Sequence, residues 1–137
     1  MLPFYFLSIT TNLIMGLVLA FFDKTKKGDE PADREIPFPF MRESTFLLLV
    51  TIFSAFTAIS KLLTPVGTNI IILGDFIPVV AGLAGSLVFL GRYLESLPNT
   101  KTLPDFFNIL KSYDEIIAYI CLFAAGSHLL FSKVIFL

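Results

Sequence analysis

Apolar and polar positions in this chain are laid out in long blocks, not with the short alternation of a strand or a surface helix. Leu2 to Phe22, Ser44 to Leu63, Ile70 to Gly91 and Ile116 to Ser132 hold only Lys61, Asp75 and His128 as acidic, basic or histidine side chains. A bilayer core about 30 Å thick asks for roughly 20 mostly apolar residues per helix, a length these blocks meet or approach. Hydrocarbon offers the backbone no water, so each block must satisfy its own peptide groups as a helix. The pattern predicts an all-α integral membrane protein, a four-transmembrane-helix bundle forming one domain over 1–137. Its helices are expected near 2–22, 44–63, 70–91 and 113–135, with cytoplasmic loops 23–43 and 92–112.

Composition strengthens that reading. The chain is 55% hydrophobic and 15% charged, where a soluble domain carries roughly 25% charge. A net charge of −1 provides no bulk field for nucleic acid, so no nucleic-acid partner is expected. The first block resembles a signal peptide only in position: no Lys or Arg precedes Lys24, so it reads as a retained helix. Cys121 is the single cysteine, which excludes an intrachain disulfide and suits a small apolar helix residue.

Basic residues set the expected orientation. Lys24, Lys26, Lys27, Arg34 and Arg42 lie in the first long loop, and Arg92, Lys101 and Lys111 in the second. Only Lys61 and Lys133 fall on the other side, so both termini are expected outside. The short connection Thr64-Pro65-Val66-Gly67-Thr68 has turn chemistry and makes helices two and three antiparallel neighbours. A bacterial inner membrane is the expected location.

A shift of 67 residues lays part of the chain on itself. Pro31, Pro37 and Phe40 meet Pro98, Pro104 and Phe107, while Phe56, Ala58, Ser60, Leu62 and Leu63 meet Phe123, Ala125, Ser127, Leu129 and Leu130. Either two tandem hairpin repeats or the biased composition accounts for this; repeats with a shared orientation are one way to build a bundle or a transporter. In the second loop, Thr102 is a candidate cap for a helix opened by Leu103-Pro104-Asp105. That segment is either a separate interfacial helix over 104–112 or the start of one long helix from Pro104.

Small residues mark helix three for close packing. Ala81 with Gly85 and Gly82 with Ser86 are small-xxx-small pairs, placing this helix centrally or at a subunit contact. Pro78 is expected to kink it and to remove the hydrogen bond to the Gly74 carbonyl.

The polar residues form the candidate site. Asp75 lies about 7–8 Å below the outer end of helix three at 1.5 Å per residue. His128 lies at similar depth in helix four, and Lys61, its counterpart under the 67-residue shift, near the outer end of helix two. Charged groups at such depth are paired or face a wet cavity, and Asp75 with Lys61 is the simplest pair. Asn12, with Ser8, Thr10 and Thr11, adds polarity from helix one, and Ser54, Thr57 and Ser60 from helix two. The inner halves are nearly all Leu, Val, Ile and Phe, which argues against a complete pore. Two readings stay open: an outward pocket or ion vestibule in which His128 titrates near neutral pH, or an interhelical hydrogen-bond network with Lys61 snorkelling to the surface.

Catalytic motifs do not emerge. There is no His-Glu-x-x-His and no Gly-x-Ser-x-Gly, and one histidine cannot build an ordinary metal site within one chain. No enzyme activity, metal or cofactor is expected. The leading expectation is a non-enzymatic subunit or scaffold of a membrane complex, packing through helix three in a homo-oligomer or with a larger partner. The alternative is a small transporter or ion-conducting oligomer using Lys61, Asp75, His128 and Asn12.

Overall fold

A computed structural model describes residues 2–22, 38–63, 71–99 and 102–130, without the side chains of Leu2, Phe22, Arg42 and residues 71–75. Among the described residues the chain is all-helical. Helix α1 runs Leu2–Leu17 and continues as a π-helical turn, Val18–Phe22. A short 3-10 turn, Pro39–Arg42, leads into α2, Ser44–Leu63. Then come α3 (Ile71–Ser96), α4 (Asp105–Ser112) and α5 (Asp114–Leu130). Pro3–Phe21, Ser44–Leu63 and Phe76–Ser96 are each long and apolar enough to cross a membrane.

The second helix has the predicted bounds, and the others differ for identifiable reasons. The chain widens to π geometry over Val18–Phe22, which leaves Val18, Leu19 and Ala20 all buried in succession. Helix α3 does not stop at Gly91 but continues through Arg92, Tyr93, Leu94, Glu95 and Ser96. Hydropathy marks where an apolar surface ends, whereas a helix ends only where its hydrogen-bond ladder does. Here that happens at Leu97, whose amide donates to the Leu94 carbonyl (3.2 Å), just before Pro98.

The segment after Pro104 is a separate helix. Its first helical residue is Asp105, with Pro104 at the cap position and no side-chain cap, so Thr102 does not cap it. Tyr113 ends α4 with φ −105° and ψ 11°, and its amide donates to the carbonyls of Leu110 and Lys111. Asp114 and Glu115 then open α5 with negative charge, which the positive end of a helix dipole favours. Phe107 holds α4 against α3 by lying over Gly91, where an added Cβ would come within 2.9 Å of the ring. Lys111 Nζ pairs with both Glu95 carboxylate oxygens at 2.8 Å, and Arg92 with Asp114 at 3.4 Å.

Helices α1 and α3 run side by side in the same direction at the centre. Asn12 meets Pro78, and Met15 meets Gly85. Helices α2 and α5 lie on opposite flanks, each packed against both central helices and antiparallel to them. Exchanging α1 with α3 and α2 with α5 leaves this pattern of neighbours unchanged. The apolar core, built around Met15, Leu19, Val50, Val88, Phe89, Ala118 and Cys121, fills the half of the bundle nearer α4.

Polarity runs opposite to that of a soluble protein. Ser8, Thr11, Asn12, Thr51, Ser54, Thr57, Ser86 and His128 are buried, while Phe6, Phe21, Phe56, Leu63, Phe123 and Leu130 are more than half exposed.

Candidate functional site

Lys61 and His128 meet at a residue the sequence reading did not single out, Tyr5 on α1. Lys61 Nζ stands over the Tyr5 ring, 5.2 Å from its centroid. The His128 imidazole lies against the same ring with centroids 5.2 Å apart, and the Tyr5 hydroxyl donates to the His128 carbonyl. One aromatic ring therefore joins α1, α2 and α5 at the end of the bundle that carries residue 5. The imidazole is fully enclosed and Lys61 half-buried. A Tyr among Phe residues in an uncharged block gives little warning of this role. Its hydroxyl, which lets one end of an aromatic reach a buried acceptor, was the available signal.

Asp75 belongs to α3, but its side chain lies outside the described residues, as does the connection 64–70. The Asp75–Lys61 pairing therefore falls outside the described contacts. So do Lys24, Lys26, Lys27, Arg34, Lys101 and Lys133.

Deeper in the bundle the remaining predicted residues converge on the backbone of α3. Asn12 Nδ2 on α1 donates to the Pro78 carbonyl (3.3 Å), Ser54 Oγ on α2 to the Gly82 carbonyl (3.0 Å), and Cys121 Sγ on α5 to the Ala81 carbonyl (3.4 Å). Each neighbour of α3 thus sends one side-chain donor to it. The approach is close because α3 is small here. A Cβ on Gly82 would lie 3.4 Å from Ser54 Oγ, and one on Gly85 only 2.8 Å from Met15 Sδ and 3.2 Å from Cys121 Sγ. Ala81, Gly82, Gly85 and Ser86 are all buried inside the chain, so this face is covered by α1, α2 and α5 themselves. Ser86 Oγ turns back to the Leu83 carbonyl on its own helix, and Thr51 and Thr57 likewise to Leu47 and Phe53. Pro78 is buried within an α3 that stays helical through it.

Gly16 is a packing residue that sequence reading missed. A Cβ there would meet Leu122 Cγ at 2.7 Å and the Ala118 carbonyl oxygen at 3.0 Å. Among the described residues, no three His, Cys, Asp or Glu side chains gather into a group able to hold a metal ion.

Comparison places this bundle in a family. A family model matches residues 1–128, and the chain belongs to that family. Among its relatives is an uncharacterized protein of Treponema pallidum (strain Nichols), 34% identical over 137 residues and aligned over 100% of both chains. No solved structure matches.

Proposed function

We propose that the chain is an integral membrane protein whose fourth span is α5, and that it serves as a non-enzymatic subunit or scaffold of a membrane complex. The inverted polarity supports the membrane setting. Phe, Leu and Ile side chains turned outward suit hydrocarbon, while the hydroxyls, Asn12 and His128 turned inward are costly anywhere but in a protein interior. In this setting residue 5 and the cluster around Tyr5 lie at the outer face, and α4 lies at the cytoplasmic face.

The observation carrying the scaffold reading is the use made of the polar groups. Asn12, Ser54 and Cys121 are spent on tying three helices to α3, an arrangement that fixes a bundle and lines no passage. Because the small face of α3 is filled within the chain, a partner would meet the bulky outer ridges, such as Phe76, Ile77 and Val80 on α3. Native mass spectrometry after gentle extraction tests this reading: a stoichiometric foreign subunit is expected. A bare homo-oligomer would instead favour a small transporter or ion-conducting protein, the reading suggested by Lys61, Tyr5 and His128 meeting near one end. Under that reading Asp75→Asn abolishes flux while leaving assembly intact; under the scaffold reading it leaves partner binding unchanged.

A further inference from the structure

Gly82 lies where α1, α2 and α3 meet, and the space beside it is bordered by two polar oxygens. An added Cβ would stand 3.4 Å from Ser54 Oγ, 3.5 Å from Ala58 Cβ and 3.8 Å from Asn12 Oδ1, all ordinary contact distances. Asn12 is 1% exposed, and its Oδ1 receives no hydrogen bond from any described residue. Turning the amide over would set Oδ1 against the Pro78 carbonyl and forfeit the bond that Nδ2 makes there. Ser54 has one hydroxyl proton, already given to the Gly82 carbonyl at 3.0 Å, so its remaining capacity is to accept. The cradle thus presents two acceptors, a methyl-sized space and no donor. Buried polar atoms are rarely left this way.

We propose that the cradle at Gly82 is a binding site for a single water molecule, which donates one proton to Asn12 Oδ1 and the other to Ser54 Oγ. Water matches the site in size and in sign: it brings two donors to two acceptors, and buried waters typically make two to four such bonds. A hard cation such as calcium or magnesium takes about six or more oxygens, which these two side chains do not approach. The bound water joins α1 to α2 across the face of α3. It holds whether the protein is a scaffold or a transporter, because it rests on the local geometry alone.

Gly82→Ala tests it through thermal unfolding in detergent. The methyl group fits sterically but displaces the water, so the midpoint is expected to fall by several degrees. In an Asn12→Leu background the same substitution is expected to leave the midpoint unchanged or raise it. An increase in the wild-type background, the usual result of replacing a helical Gly by Ala, would mean a dry cradle and overturn the site. An equal loss in both backgrounds would make the effect steric and overturn it too. A wild-type midpoint that shifts between sodium and choline buffers would replace water by a cation. Should Asn12→Leu fail to fold, a crystal structure in a lipidic phase decides directly: solvent density within about 3.2 Å of Asn12 Oδ1 is expected, and its absence overturns the proposal.

Discussion

Tyr5 makes two separable contacts: its ring underlies Lys61, and its hydroxyl donates to the His128 carbonyl. Tyr5→Phe keeps the ring and is expected to cost about 1 kcal/mol, the worth of a typical hydrogen bond. Tyr5→Leu loses the cation–ring attraction as well, worth a further ~0.5–2 kcal/mol. Thermal midpoints of the two variants in detergent check the order, and equal losses would mean that the ring contributes nothing. Glycines separate by their neighbours in the same way. Gly16→Ala drives a methyl group toward Leu122 and the Ala118 backbone, and a loss of about 1–3 kcal/mol is expected. Gly126 has nothing within 4 Å of an added Cβ, so Gly126→Ala is expected to be neutral or to stabilise by up to ~1 kcal/mol. No property of the two residues taken alone distinguishes these cases. Both are helical glycines in apolar blocks, and only the register of α1 on α5 separates them.

At the scale of elements, the two ion pairs flanking α4 are expected to differ in strength. Lys111 and Glu95 are exposed by 42% and 35%, so Lys111→Met should cost less than about 0.5 kcal/mol. Arg92 and Asp114 are exposed by only 15% and 18%, and Asp114 also opens α5. Asp114→Asn removes both the pair and the favourable charge at the helix start, and roughly 1 kcal/mol is expected. Denaturant titration in mixed micelles ranks the two, and the ranking should narrow at high salt. The long apolar helices were legible because an uncharged run of about 20 residues is a strong signal. The break at Tyr113 was not, since Lys111, Ser112 and Tyr113 contain neither Gly nor Pro. It depends on Phe107 docking over Gly91, a contact between distant segments that periodicity does not report. The extension of α3 past Arg92 was missed because charge was taken to end the helix when it ends only the apolar run.

For the whole molecule, two central parallel helices with two flanking partners form the neighbour pattern that a pair of tandem hairpins would produce. Lys61 and His128, equivalent under the 67-residue shift, both arrive at Tyr5, which supports the repeat from an independent direction. The shift equates Tyr5 with Ile72, so the cluster itself has no twin. Sequence placed the polar groups at one depth through charge and spacing. It did not provide the carbonyls of α3 as their acceptors, because backbone atoms leave no trace in composition. Orientation is open to direct measurement. With both termini outside, a cysteine introduced at Phe106 in a Cys121→Ala background should resist a membrane-impermeant thiol reagent in intact cells and react in inverted vesicles. Labelling in intact cells would reverse the topology.

The three bonds that gather helices onto α3 have an uneven vulnerability. Their acceptors are main-chain oxygens, which no substitution can delete, so positions 78, 81 and 82 are free to change identity as long as they stay compact. Their donors are single side chains, each lost by one substitution. Genetic drift should therefore be recorded unequally, with variation of side-chain chemistry tolerated along α3 and any exchange at Asn12 or Ser54 accompanied by a new donor nearby.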